Sequence, residues 1–74
     1  QAGEYKDAAD LYQSALEKNP DDYGAMFNLG VCHEAQGHFQ DAYNCYDKAV
    51  GYKKETKFIL ARSRVRDLAQ KSGQ

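Results

Sequence analysis

The 74-residue chain predicts an all-α fold, a superhelix of about four antiparallel helices. Three observations point to it. A stripe of apolar residues returns after 34 residues, a proline stop separates two such stripes, and no segment alternates as a strand would.

The first helix is predicted over about 5–18, because Tyr5, Ala8, Tyr12, Ala15 and Leu16 fall on one face at helical spacing. Asn19-Pro20-Asp21-Asp22 then reads as a stop followed by a start. Proline cannot continue the helix, and Asp21 or Asp22 can N-cap the next one. The second helix, about 22–36, carries Met26, Leu29, Gly30 and His33, and Gly37 ends it as a left-handed residue would. The third, about 38–51, repeats the first: Phe39, Ala42, Tyr46, Ala49 and Val50 share a face. A last helix, about 55–71, presents Phe58, Ala61, Val65 and Leu68.

Shifting the chain by 34 residues brings five identities into register: Gly3 with Gly37, Asp7 with Asp41, Ala8 with Ala42, Tyr12 with Tyr46, and Ala15 with Ala49. The pairs Tyr5/Phe39, Asp10/Asn44 and Leu16/Val50 are conservative. Matches confined to one helical stripe indicate a repeated packing unit. Gly30 and Ala42 are expected to face each other where two helices approach most closely. Tyr12 and Tyr46 are expected to fill wedges between successive helices, while Ala15 and Ala49 leave room for the following one. One hairpin cannot bury its apolar face alone, so neighbours must stack on it.

Met26-Phe27-Asn28-Leu29-Gly30 and His33, followed by Gly37-His38-Phe39, Ala42, Tyr46 and Ala49, resembles one complete tetratricopeptide repeat. Gly3-Glu4-Tyr5, Ala8, Tyr12, Ala15 and Pro20 resemble the second helix of a preceding copy. The resemblance divides the chain into a partial repeat at 3–20, a complete one at 21–54, a capping helix at 55–71 and a tail at 72–74. Departures are Met26 for the frequent tryptophan, His33 for a frequent aromatic, and Lys54 where a second proline is expected. The last helix lacks the Leu-Gly pair: strict spacing puts Ser63 and Arg64 there. A one-residue slip, pairing Ala61, Val65 and Leu68 with Met26, Gly30 and His33, suits its apolar stripe better. A second class of helical repeat shares the Ala-x-x-x-Leu-Gly opening seen from Ala25 to Gly30, but the 34-residue recurrence argues against it.

The resemblance implies a protein–protein interaction scaffold and no enzyme. Its concave face would hold a peptide or helix of a partner, presenting Phe27, Asn28, Val31 and Glu34, with Gly24 and Ala35; the alternative for Phe27 and Val31 is contact with the first helix of the preceding repeat. The alternative is a structural role, as a cap or a self-association segment in a longer α-solenoid. A narrower version follows from repeats that clamp the acidic C-terminal tails of heat-shock chaperones. Asn28 matches their asparagine and Arg62 their arginine under strict spacing, with Phe58 at the lysine place and Lys57 beside it.

Composition bounds the remainder. The first residue is Gln1, so an excised fragment or processed product is expected. No stretch is apolar enough to span a membrane. The net charge of −1 hides a division: residues 1–52 set three lysines against nine carboxylates, and 53–74 set seven basic residues against two acidic ones. The basic segment has no interleaved exposed aromatics, so no nucleic-acid partner is expected. Contact between its helix and an acidic face of a second copy is the self-association route. Cys32 and Cys45 are expected to be reduced, small and packed, placing the chain in an intracellular, cytoplasmic setting. Cys32, His33, His38 and Cys45 are donors close in sequence, but their spacing matches no zinc motif, so neither metal nor cofactor is expected. Ser14, Ser63 and Ser72 sit in no nucleophile–base pattern, and nothing suggests catalysis.

Overall fold

The computed structural model describes residues 2–72, with side chains described for 3–71. Four helices follow one another: α1 (Ala2–Lys18), α2 (Tyr23–Ala35), α3 (Phe39–Tyr52) and α4 (Thr56–Ser72). No strand occurs among the described residues. Ser72 closes α4, so the expected tail begins one residue later, and Gly73 and Gln74 lie outside the described residues. The first helix begins before residue 5, since Ala2 to Glu4 contains no proline and Glu4 suits the positive end of the helix dipole.

The connections are local chemistry. Asp22 accepts a hydrogen bond from the Ala25 amide at 3.0 Å and is the N-cap of α2. Asn19 to Asp22 is a turn closed by the Asp22 amide on the Asn19 carbonyl, with Pro20 at its second position. Gly37 has φ +80°; its amide reaches the Glu34 carbonyl while the His38 amide reaches that of His33. This is a Schellman ending, and it needs a residue without a Cβ penalty. Between α3 and α4 no proline is required: Lys53 turns extended, and the Phe58 and Ile59 amides close on the Glu55 carbonyl to begin α4.

Each helix packs chiefly on its neighbours in sequence. The middle helix α2 buries Ala25, Met26, Leu29, Gly30 and Cys32, so it is apolar around most of its circumference. Ala9, Leu29 and Cys32 form one part of the core with Ala8, Tyr12 and Leu16 against them. Met26, Ala49, Val50 and Phe58 form the second part, and Ala42, Tyr46, Ala61 and Val65 the third. In α4, Phe58, Ala61 and Val65 are buried and Leu68 half-buried, the stripe that the one-residue slip describes.

At Gly30 the nearest neighbour across the helix pair is Tyr46: a Cβ added there would lie 2.5 Å from Tyr46 Cε1 and 2.8 Å from Cδ1. Ala42 shares a buried cluster with Tyr46 and with Ala61 and Val65 of α4. Tyr46 stands one helical turn beyond Ala42 on the same face of α3, and its ring reaches the α2 backbone at Gly30.

Candidate functional site

The strongest constellation joins α2, α3 and α4. Tyr46 is fully buried, and its hydroxyl donates to Glu34 Oε1 at 2.9 Å. Arg64 grips the same carboxylate with two bonds, Nε to Oε2 at 2.8 Å and Nη2 to Oε1 at 2.7 Å. The Arg64 bonds hold the Glu34 carboxyl below the usual carboxylate range; partial burial opposes them and the Tyr46 hydroxyl assists. Burial, then the adjoining carboxylate, pushes the Tyr46 phenol well up. The phenol therefore stays a donor and the carboxylate an acceptor across the neutral range.

Beside this lies an aromatic seam. Phe27 stacks on Phe58 with ring centroids 4.9 Å apart, and its centroid is 5.4 Å from that of Tyr46. The Lys57 ammonium stands 5.6 Å from the Phe27 ring and 5.8 Å from the Phe58 ring. Lys57, Leu60 and Arg64 recur at three- and four-residue spacing, and the first and last of them reach α2. They form the stripe of α4 that borders α2. Leu60 on it is 62% exposed, and Val31 on α2 is 40% exposed.

The residues expected to meet a partner divide here. Asn28 and Val31 are exposed on α2. Phe27 is half-buried and occupied by Phe58 and Tyr46, so it serves the packing of α4 on α2. Glu34 is committed to Tyr46 and Arg64. Arg62 donates to Asp47 of α3 at 2.8 Å; it is turned to the α3 side of α4, away from Lys57 and Arg64, which reach α2. The arginine of a carboxylate clamp is thus not brought to Asn28. Sequence reading gave Arg64 and Leu60 no site role and named Lys57 only beside the lysine place of the clamp. The signal was their common stripe, together with the need of a buried tyrosine hydroxyl for an acceptor.

A family comparison matches residues 1–58 to the tetratricopeptide repeat. The chain belongs to the tetratricopeptide repeat family. No curated protein and no solved structure matches it. Members of the family typically mediate protein–protein interaction and are typically non-catalytic. Among the described residues of this tetratricopeptide repeat protein, no helix is long and apolar enough to cross a membrane.

Both repeat cysteines are free thiols, Cys32 buried and Cys45 half-buried. Burial pushes both up, Cys45 to about 11 with Lys48 opposing, so neither is a ready thiolate. A groove of about 540 Å³ runs between α1 and α3, with Leu16, Met26, Leu29, His33 and Cys45 among its walls. The donor set that the fold gathers is not the one the sequence suggested: His33, His38 and Asp41 come together, without either cysteine.

Proposed function

We propose that this repeat protein holds an apolar, acid-flanked segment of a partner protein along the face shared by α2 and α4. The observation that carries this is that Val31 and Leu60 are exposed on two helices tied together by Phe27–Phe58 and Glu34–Arg64, with Asn28 and Lys57 exposed on the same helices. Two apolar side chains between polar and cationic neighbours suit an amphipathic helix or extended peptide with carboxylates at its edge. Phe27, Phe58 and the Glu34–Arg64 pair serve as the rigid floor that holds the two helices side by side. No catalysis is part of this reading, and the free thiols accord with a reducing, intracellular setting.

The test is affinity capture with identification of bound proteins, comparing the wild type with a Val31→Ser/Leu60→Ser double variant. The expected result is loss of the captured partner with a melting temperature within a few degrees of wild type. Unchanged capture would overturn the reading, and a large fall in stability would assign the two residues to the core instead. A second reading is contact within a longer array. It draws on α1, where Leu11 is 72% exposed, and on the basic residues of α4 facing an otherwise acidic chain. Salt separates the two: light scattering that shows association weakening with added salt favours array contact.

A further inference from the structure

We propose that His33, His38 and Asp41 form a binding site for a divalent transition-metal ion that clamps the turn between α2 and α3. One ligand atom from each of the three lies within 4.8 Å of the others. Three separate local features bring them together. His33 is in the last turn of α2, His38 is the N-cap of α3, and Asp41 sits in the first turn of α3. The Schellman ending at Gly37 reverses the chain between them, which brings the imidazole centroids to 6.0 Å.

The two imidazoles also have unused hydrogen-bonding capacity. His38 makes no side-chain capping bond, and the His33 Nδ1 atom is buried without a hydrogen-bond partner. A desolvated ring nitrogen without a partner is unfavourable, and an ion bound there would supply one. His33 and Asp41 both line the groove between α1 and α3, so an ion and its remaining waters have a way in.

Two imidazole nitrogens and one carboxylate oxygen suit zinc, copper, nickel or iron(II) and not magnesium, which keeps an all-oxygen octahedron. Zinc bonds of about 2.0–2.2 Å place tetrahedral ligands roughly 3.4 Å apart, so a cluster within 4.8 Å must contract by up to about 1.4 Å at its widest. Side-chain rotation of His38 and Asp41, both exposed, accomplishes this without moving the helices. Water completes the coordination sphere. The bound ion would tie the end of α2 to the start of α3 and so stiffen the hairpin.

The experiment is calorimetric titration of the chain with zinc in neutral buffer, with thermal melts alongside. One ion per chain, micromolar affinity and a higher melting temperature with zinc are expected, and no heat with magnesium. His38→Asn and Asp41→Asn change exposed side chains, so both variants should fold without metal and bind zinc roughly 10-fold or more weakly. His33→Phe keeps an aromatic ring in its slot and should also lose the site. Cys45→Ala, in the same groove, should leave affinity unchanged. Zinc binding that survives His38→Asn and Asp41→Asn, or that disappears in Cys45→Ala, would overturn the proposal. So would the absence of any binding at hundreds of micromolar zinc.

Discussion

Helices α1 and α3 carry the same repeat residues in different surroundings. Ala42, Tyr46 and Ala49 of α3 have no solvent exposure, whereas Ala8, Tyr12 and Ala15 of α1 are only half-buried. The side chains are identical, so the difference is not chemical. Helix α3 lies between α2 and α4, while α1 rests mainly on α2. In a repeat protein the burial of a residue is thus a property of the next helix along, and the same tyrosine is a core anchor in one copy and a half-covered one in the other.

The largest expected effect tests this directly. Tyr46→Ala should lower stability by about 3–5 kcal/mol, most of what a chain of this length commands. Tyr12→Ala should lose only about 1–2 kcal/mol. Urea midpoints of the two variants decide it, and equal losses would break the comparison.

Next come two helical glycines. At Gly30 an added methyl meets the Tyr46 ring, which is fixed by burial and by its bond to Glu34. Gly30→Ala recovers about 1 kcal/mol of helix propensity against roughly 1–3 kcal/mol of overpacking, so a net loss of up to about 2 kcal/mol is expected. At Gly51, in α3, a methyl meets nothing within 4 Å. Gly51→Ala should therefore stabilise, by about 0.5–1 kcal/mol. Thermal melts showing the same sign at both positions would contradict the packing described for Gly30.

A third test uses acid. The Arg64 bonds lower the Glu34 carboxyl, so its folded value lies below its unfolded one. Its contribution is then full above the unfolded carboxylate range, near pH ~4.3, and is lost as pH falls through the folded value. The wild type should lose stability below pH ~4.3 more steeply than Glu34→Gln, with the variant about 1 kcal/mol weaker at neutral pH, since Arg64 is half exposed. Melting temperatures from neutral to acid pH check this. The smallest effect belongs to Arg62→Ala, where the partly exposed pair with Asp47 should be worth about 0.5 kcal/mol or less by denaturant midpoint. The same variant should leave partner capture intact, since Arg62 stands on the α3 side of α4.

Much of the fold was legible because its signals are local. Pro20 with Asp22, and Gly37 with the amides around it, are settled within a few residues of chain. The apolar stripes were legible for the same reason, since period alone reveals which residues share a face. The slip in α4 was also readable, because Phe58, Ala61 and Val65 could not otherwise all turn inward. The candidate surface was only half readable. Asn28 and Val31 stayed exposed, but Phe27 found a stacking partner in Phe58 and Glu34 found Arg64, 30 residues on in sequence. Helical periodicity shows that a face exists and is silent about which neighbour covers it.

The sequence by itself determined four helices, their stops and the identity of the repeat, because hydrogen bonding along the backbone and turn chemistry act over a handful of residues. Tertiary structure alone decided that Gly30 makes room for Tyr46, that Arg62 turns to Asp47 while Arg64 holds Glu34, and that two histidines gather an aspartate in place of the cysteines. Those outcomes depend on the angle and depth at which helices pack, and packing is settled by all the contacting side chains together.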